Sequence, residues 1–315
     1  PDMLFARSED AAPQSIITKL SLFGGIPKNA IALLPNAKTV YQVPLTLEEA
    51  GIGNYITDHL SLASKKPDLA QWKKFVRRAL KVQTRKVRVG MVAKYLDNED
   101  SYFSVIEALR AAAWQHDVGL DIIWIDSERI EKDPAYFEQC KTLVDGIVVP
   151  GGFGARGVEG KILAAQWALT DDVPYLGICL GLHVGVIAAL RMSGVTTADS
   201  TEFNAATNDP VIHTMTDQIG KEGTGGTMRL GNYECTLKKG SLAQKLYKKQ
   251  TINERHRHRY EFNSKYTKAL ESTGMVVSGV WKKEGLAEVV EKSEHSFFIA
   301  SQFHPEFTSR PNRTN

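Results

Sequence analysis

The sequence predicts an α/β protein with a mostly parallel central sheet covered by helices on both faces, preceded by a smaller N-terminal α/β fragment. From residue 87 onward, short apolar and β-branched runs alternate with helical patterns. The joins between these segments are short, as expected where helices cross over between parallel strands. From residue 226 onward the predicted strands follow one another more closely, which indicates an antiparallel extension.

The N-terminal fragment is predicted to cover residues 1–86, and the main domain residues 87–315. Residues 81–86 are polar and basic and are interpreted as the linker between them. A strand is expected at 30–34 and helices at 15–22, 45–50, 54–62 and 67–80. The last of these helices is amphipathic, with a basic face that is expected to be solvated.

In the main domain we predict alternating strands and helices, with Ser101 at the N-cap of the first helix. The predicted strands are 87–93, 120–125, 146–150, 173–178, 228–230, 235–237, 276–281, 287–290 and 297–302. The predicted helices begin near 101, 134, 160, 180 and 241.

Composition argues for a globular protein of a reducing compartment. A formal net charge of +3 is too small to indicate nucleic-acid or membrane binding. No run approaches the ~18 apolar residues that span a bilayer, and no secretory signal is recognisable at the N-terminus. The three cysteines are widely separated and form no zinc-type pair. A cytoplasmic location without a metal centre is therefore expected.

Cys179 follows a predicted strand and precedes a predicted helix, between Gly177 and Gly181. Glycines on both sides allow a sharp turn, so the pattern is typical of a nucleophile elbow with cysteine in place of serine. A single cysteine can equally be a small core residue. Cys179 alone does not decide between these two interpretations.

Residues 151–157 carry four glycines directly after another predicted strand. Exposed backbone N–H groups in such a loop can bind a carbonyl oxygen or an anion. The spacing fits neither a dinucleotide fingerprint nor a Walker loop. An oxyanion hole is therefore favoured over a phosphate loop or a flexible turn.

His304 follows the last predicted strand, and Glu306 lies two residues beyond it. A cysteine thiol is mostly protonated at neutral pH, so a nucleophilic cysteine requires a neighbouring base. His304 could accept the proton, and Glu306 could fix the imidazole tautomer. A histidine in this position is often structural, but its combination with the cysteine turn and the glycine-rich loop predicts a Cys179–His304–Glu306 triad.

These three motifs together resemble those of the class I glutamine amidotransferases, whose fold is flavodoxin-like. Residues 225–231 (Gly-Gly-Thr-Met-Arg-Leu-Gly) and 254–261 (Glu-Arg-His-Arg-His-Arg-Tyr-Glu) narrow the resemblance to the CTP synthase family. Residues 1–23 resemble the end of the synthetase domain of that family. The chain is accordingly interpreted as a C-terminal piece, with most of the synthetase domain absent.

The resemblance implies a set of residues that bind glutamine. Backbone N–H groups of Gly152 or Phe153 and of Leu180 would stabilise the oxyanion. Glu202 matches the position that binds the substrate's α-amino group, and Arg259 matches a basic position that also contributes.

One residue departs from the family pattern. The family usually has Cys-Leu-Gly-Met-Gln, where this chain has His183 in place of the glutamine. The histidine could still form a hydrogen bond to the substrate, but the ring is shorter in reach and can carry a charge.

Nucleotide and effector positions are also implied by the resemblance. Arg7 and Lys19 match nucleotide-contacting positions of the synthetase domain. Thr227 and Arg229 lie in the lid associated with activation by GTP, and Arg156 is a further candidate for that effector.

The implied activity is glutamine hydrolysis through a thioester, which supplies ammonia for the ATP-dependent amination of UTP to CTP. ATP, Mg²⁺ and the activator GTP belong to the complete enzyme, and no cofactor is expected in this piece. The expected partners are L-glutamine, the missing synthetase domain and further copies in a homotetramer. Two alternatives stay open: a catalytically idle regulatory module, and another Cys-His-Glu hydrolase such as a γ-glutamyl peptidase.

Overall fold

The computed structural model describes residues 1–63, 65–96, 99–214 and 228–314. The chain forms two compact units, Pro1–Gln83 and Thr84–Asn315. None of the helices within the described ranges is long and apolar enough to cross a membrane.

The first unit has a two-stranded parallel sheet and four α-helices among its described residues. Its strands pair with Leu4 opposite Ile31, and a small core of Ile26, Ala30 and Ile31 lies beside them. Because this core is small, a few apolar side chains hold the unit together. Its elements are β1 (Leu4–Ser8), α1 (Ser15–Gly24), β2 (Ile31–Pro35), α2 (Val43–Glu49), α3 (Ile52–His59) and α4 (Ala70–Ala79).

The second unit begins with alternating strands and helices and ends with mostly antiparallel strands. Its strands are β3 (Lys86–Ala93), β4 (Gly119–Asp126), β5 (Gly146–Val149), β6 (Tyr175–Ile178), β7 (Ala198–Ser200), β8 (Asp209–Thr214), β9 (Arg229–Leu237), β10 (Thr251–His258), β11 (Tyr260–Phe262), β12 (Met275–Trp281), β13 (Leu286–Lys292) and β14 (Phe298–Ser301). Its helices are α5 (Phe103–Gln115), α6 (Ser127–Lys132), α7 (Pro134–Thr142), α8 (Val158–Asp171), α9 (Leu180–Met192), α10 (Leu242–Tyr247) and α11 (Thr267–Ser272).

In the described residues the main sheet has nine strands in the order β10-β9-β12-β13-β14-β6-β5-β3-β4. The strands from β14 to β4 are parallel to one another. The strands from β10 to β14 pair antiparallel and extend the sheet on one side. A separate three-stranded sheet has the order β11-β8-β7.

Helices cover both faces of the parallel strands. On β3, Met91 and Ala93 enter one apolar core, whereas Val92 between them enters the other. Side chains alternate across a strand, so each face of the sheet has its own core. Helix α5 packs into the first core, and α8 and α9 pack into the second. This arrangement confirms the predicted α/β class.

Two local predictions were wrong. Ser101 does not cap α5, because a 3₁₀ turn over Glu99–Tyr102 precedes the helix and places Tyr102 at its N-cap position. The strands predicted at 228–230 and 235–237 are one continuous strand, β9, whose central residues pair with β10. The intervening polar residues concealed this continuity, because they alternate on an exposed face.

Close packing between helices depends on Gly160. A Cβ atom at this position would overlap with the carbonyl oxygen of Ser127 in α6. At Gly185 on α9, by contrast, the nearest atom to a built Cβ is Phe298 Cζ at 3.4 Å, an ordinary contact distance.

We predict that Gly160→Ala lowers the free energy of unfolding by about 3 kcal/mol, because α8 must move away from α6. The matched control Gly185→Ala should leave stability unchanged or raise it by up to about 1 kcal/mol, because alanine favours the helix. Urea denaturation followed by tryptophan fluorescence measures both values. Equal stability of the two variants would contradict this packing argument.

Candidate active site

Three sequence motifs meet at one edge of the sheet because they follow three neighbouring parallel strands. The glycine-rich loop follows β5, Cys179 follows β6 and His304 follows β14, and these strands are adjacent in the order β14-β6-β5. Ligand sites of open α/β sheets form at such carboxyl ends. The topology therefore brings the three predicted motifs together.

Cys179 occupies a strained turn between β6 and α9. Its backbone has φ 54° and ψ −100°, outside the conformations that a residue with a side chain ordinarily adopts. The Cys179 N–H donates to the carbonyl oxygen of Ser301 at 2.7 Å. Glycines are required on both sides, since a Cβ on Gly177 would approach Gly181 and one on Gly181 would overlap with the Val149 carbonyl. The nucleophile-elbow interpretation matches this geometry.

His304 is paired with Glu306 and lies next to Cys179. His304 Nδ1 lies 2.8 Å from Glu306 Oε1, which leaves Nε2 for other partners. Burial by itself lowers the pKa of His304, but hydrogen bonds and charge interactions with Cys179 and Glu306 outweigh it and raise the pKa to about 10. The imidazole is therefore protonated at neutral pH.

The glycine-rich loop lies directly against Cys179 and His304. A Cβ on Gly151 would be 3.0 Å from His304 Cε1 and 3.5 Å from Cys179 Cβ, so a side chain there would contact Cys179 and crowd the histidine. Within the described part of the chain, the N–H groups of Gly152 and Phe153 donate to no protein acceptor. Leu180 begins α9, where the first N–H groups of a helix lack intrahelical partners. These N–H groups can donate hydrogen bonds to an anionic oxygen near Cys179.

Glu202 contacts the same loop at Gly154. Its Oε1 accepts a hydrogen bond from the Gly154 N–H at 2.7 Å. Burial raises the pKa of Glu202, while this hydrogen bond and the nearby Lys94 charge act in the opposite direction. A carboxylate at the rim of the site can bind an ammonium group.

His183 is buried behind the cysteine. Its Nε2 is 2.9 Å from Gln302 Oε1, and Gln302 Nε2 lies 3.9 Å from Cys179 Sγ. Burial lowers the pKa of His183 to about 4, so the ring is neutral at physiological pH. His183 therefore connects to the nucleophile through Gln302.

The basic run of residues 255–259 forms the second half of strand β10, whose side chains alternate between buried and exposed, and the bend after it. On β10, His256 and His258 are buried, whereas Arg255 and Arg257 between them are exposed. The Arg255 carbonyl accepts the His304 N–H at 2.8 Å, so β10 borders the site. Arg259 lies in the bend between β10 and β11.

Arg229 is buried and ion-paired. Its Nη1 is 3.1 Å from Glu261 Oε1, and its Nη2 is 2.7 Å from Glu288 Oε1. His256 Nε2 lies 3.5 Å from Glu288 Oε2. The guanidinium predicted to contact an effector is thus enclosed by its own carboxylates.

The other predicted nucleotide and effector residues belong to different parts of the chain. Arg156 is exposed and pairs with Glu128 at 2.6 Å. Arg7 and Lys19 are exposed residues of the first unit, on β1 and α1. Thr227 lies outside the described residues.

Three polar residues at this edge were assigned no role from the sequence. Gln302 immediately precedes Phe303-His304, and Lys94 follows β3, the next strand along the sheet. Lys94 could have been identified from the sequence, because it is a polar residue directly after the predicted strand 87–93. Lys161 gives no such signal, because it lies inside helix α8.

Comparison with known proteins relates both units to described families. Residues 96–315 match the family model for class-I glutamine amidotransferases, and residues 1–62 match the model for the CTP synthase N-terminus. CTP synthase from Thermomicrobium roseum is 46% identical over 99% of this chain and 56% of that protein. CTP synthase from a Roseiflexus species is 45% identical with the same coverage. The chain thus spans a little over half the length of these curated relatives.

Among solved structures, the glutaminase domain of Trypanosoma brucei CTPS with bound acivicin is similar to this chain. The two share 40% sequence identity with a TM-score of 0.67, over 72% of this chain and 89% of that domain. The family model and this structural match cover the residues that carry the site. The chain belongs to the class-I glutamine amidotransferases and, among them, to the CTP synthase family.

Proposed function

We propose that this chain hydrolyses the side-chain amide of glutamine and that Cys179 is its nucleophile. The observation that carries the proposal is the strained turn holding Cys179 beside the His304–Glu306 pair, with free N–H groups from the glycine-rich loop at the same edge. An activated thiol, a base and oxyanion donors are the groups that amide cleavage requires. The family relationship favours glutamine over a γ-glutamyl peptide.

In the first half-reaction the thiolate of Cys179 attacks the amide carbon. The thiol proton already resides on His304 at neutral pH, and Glu306 holds this imidazolium through Nδ1. The carbonyl oxygen becomes an oxyanion, which accepts hydrogen bonds from Leu180 and from Gly152 or Phe153. His304 then donates its proton to the leaving nitrogen, so that ammonia departs and a thioester remains.

In the second half-reaction water cleaves the thioester. His304 accepts a proton from the water as its oxygen attacks the acyl carbon, and keeps that proton while the sulfur of Cys179 leaves as a thiolate. Glutamate is released and the thiolate–imidazolium pair is restored. The Glu202 carboxylate would bind the substrate's α-ammonium group, with Arg259 contributing to the same pocket.

The ammonia would serve the complete protein. By relationship to CTP synthases, it would aminate ATP-activated UTP to give CTP, with Mg²⁺ and GTP acting in that longer protein. Arg7 and Lys19 would contribute to nucleotide binding there, and homotetramers would be the working form. In the described residues no three His, Cys, Asp or Glu side chains converge as metal ligands.

Covalent labelling tests the nucleophile. Acivicin should modify Cys179 stoichiometrically in the wild-type chain, and Cys179→Ala should abolish both labelling and ammonia release. The control Cys140→Ala, which removes a buried thiol from the core, should be labelled as fast as the wild type. Peptide mapping by mass spectrometry identifies the modified residue. An unlabelled but folded wild-type chain would refute the proposal.

Glu306→Gln should lower kcat/KM for glutamine hydrolysis by roughly 10²-fold to 10⁴-fold, because the imidazolium loses its charged partner. The raised pKa keeps His304 protonated up to about pH 10. Without the carboxylate that pKa falls, so the alkaline limb of the pH–rate profile should move toward neutrality. Glu138→Gln, at an exposed position on α7, is the control. An unshifted alkaline limb in Glu306→Gln would contradict the pairing.

His183→Gln should make stability less sensitive to acid. In the folded chain His183 stays neutral down to about pH 4, whereas the unfolded chain binds a proton near pH 6.5. Stability therefore falls as the pH drops from about 6.5 to 4, and the glutamine variant should avoid about 3 kcal/mol of that loss. Urea denaturation at several pH values measures the difference. Parallel curves for the two proteins would exclude a neutral buried His183.

A further inference from the structure

Lys161 is a fully buried lysine whose amine reaches the beginning of the glycine-rich loop. Its relative exposure is 0%, and it lies in the first turns of α8. The Nζ atom donates a hydrogen bond to the carbonyl oxygen of Pro150 at 3.1 Å. A buried amine is costly unless it has a specific partner, so this contact calls for an explanation beyond packing.

Lys94 holds the middle of the same loop. Its side chain is also buried, with 3% exposure. The Nζ atom donates to the carbonyl oxygens of Phe153 at 2.5 Å and Gly154 at 2.8 Å. The Gly154 N–H donates in the opposite direction, to Glu202 Oε1. The peptide between Phe153 and Gly154 is therefore held on both of its sides.

These contacts fix the two peptide planes that flank the N–H groups of Gly152 and Phe153. A trans peptide is planar, so binding its carbonyl oxygen also directs its N–H to the opposite side. Lys161 fixes the plane that joins Pro150 to Gly151, and Lys94 fixes the plane that joins Phe153 to Gly154. The two planes between them carry the N–H groups of Gly152 and Phe153, which are the proposed oxyanion donors.

The two amines suit this task because both are removed from water. Burial lowers the pKa of Lys161 to about 7, with the Lys94 charge acting in the same direction and Cys179 opposing it. Burial likewise lowers the pKa of Lys94. An amine donates a hydrogen bond whether or not it carries the extra proton, so the anchor to Pro150 persists through this titration.

We propose that Lys161 is a positioning residue which, together with Lys94, aligns the oxyanion donors of the loop by anchoring its carbonyl oxygens. This inference rests on the proposed glutaminase function. Lys161 touches neither substrate nor thiol in this role and acts through Pro150. Misalignment of the donors should weaken transition-state binding much more than substrate binding.

The test compares glutamine hydrolysis with thiol alkylation in the whole 315-residue chain. Lys161→Met keeps the length of the side chain but removes its donor, so kcat should fall about 10²-fold, with KM within threefold of the wild type. Iodoacetamide alkylates Cys179 without an oxyanion, so its rate should change less than threefold. Ile162→Val, at a buried neighbour on α8 whose side chain belongs to the apolar core, is the control and should keep wild-type kcat.

The outcomes separate this inference from the proposed function. A folded wild-type chain that releases no ammonia refutes the function. An active wild type with unchanged kcat in Lys161→Met refutes only the positioning role. Equal losses in hydrolysis and alkylation also refute it, since they indicate general damage to the site.

Lys94→Met provides a second variant if Lys161→Met does not fold. Removing this anchor should give the same split, with a loss of kcat and an unchanged alkylation rate. A folded Lys94→Met chain with wild-type kcat overturns the assignment of the loop to the two lysines.

Discussion

The backbone conformation of Cys179 is the constraint on which the site depends. A residue held at φ 54° and ψ −100° costs on the order of 1–3 kcal/mol, and the surrounding contacts must supply that energy. The Cys179 N–H is bound by Ser301 at the end of β14, and Tyr175 donates to the Gly181 carbonyl at 2.7 Å. The turn is thus tied to the strand that leads to His304. The strained conformation of Cys179 and its proximity to His304 therefore both depend on the contact between this turn and β14.

Burial determines how the polar groups around this turn behave. His304 keeps its proton because Cys179 and Glu306 together outweigh the loss of water, whereas His183 has neutral partners, among them the Gln302 amide, and stays uncharged. Burial also lowers the pKa of Lys161. Side chains of identical type therefore acquire different charge states according to their partners. A site of this kind can hold a protonated imidazole next to a cysteine, with neutral hydrogen-bonding groups behind it.

Strand β10 connects the site to a second buried polar region. Its carbonyl at Arg255 supports His304 on one side, while His256 points into the cluster of Arg229, Glu261 and Glu288. Burial raises the pKa of Glu288 to about 7, with the Arg229 charge opposing that change. A run of alternating arginine and histidine thus serves two environments, because successive side chains of a strand face opposite ways.

Much of this protein could be predicted from its sequence. Alternating apolar runs and helices determined the α/β class, since each element must bury its apolar side. The residues 151–157, Cys179 and His304 were identifiable because each follows an apolar strand. Strand order and the burial of charges were beyond the sequence. Only the tertiary structure showed that Arg229 is enclosed by Glu261 and Glu288. It also showed that His183 contacts Gln302. Lys94 and Lys161 bind carbonyl oxygens of one loop although they belong to different elements. These contacts join residues that are far apart in the sequence, and local sequence patterns do not predict which distant residues meet.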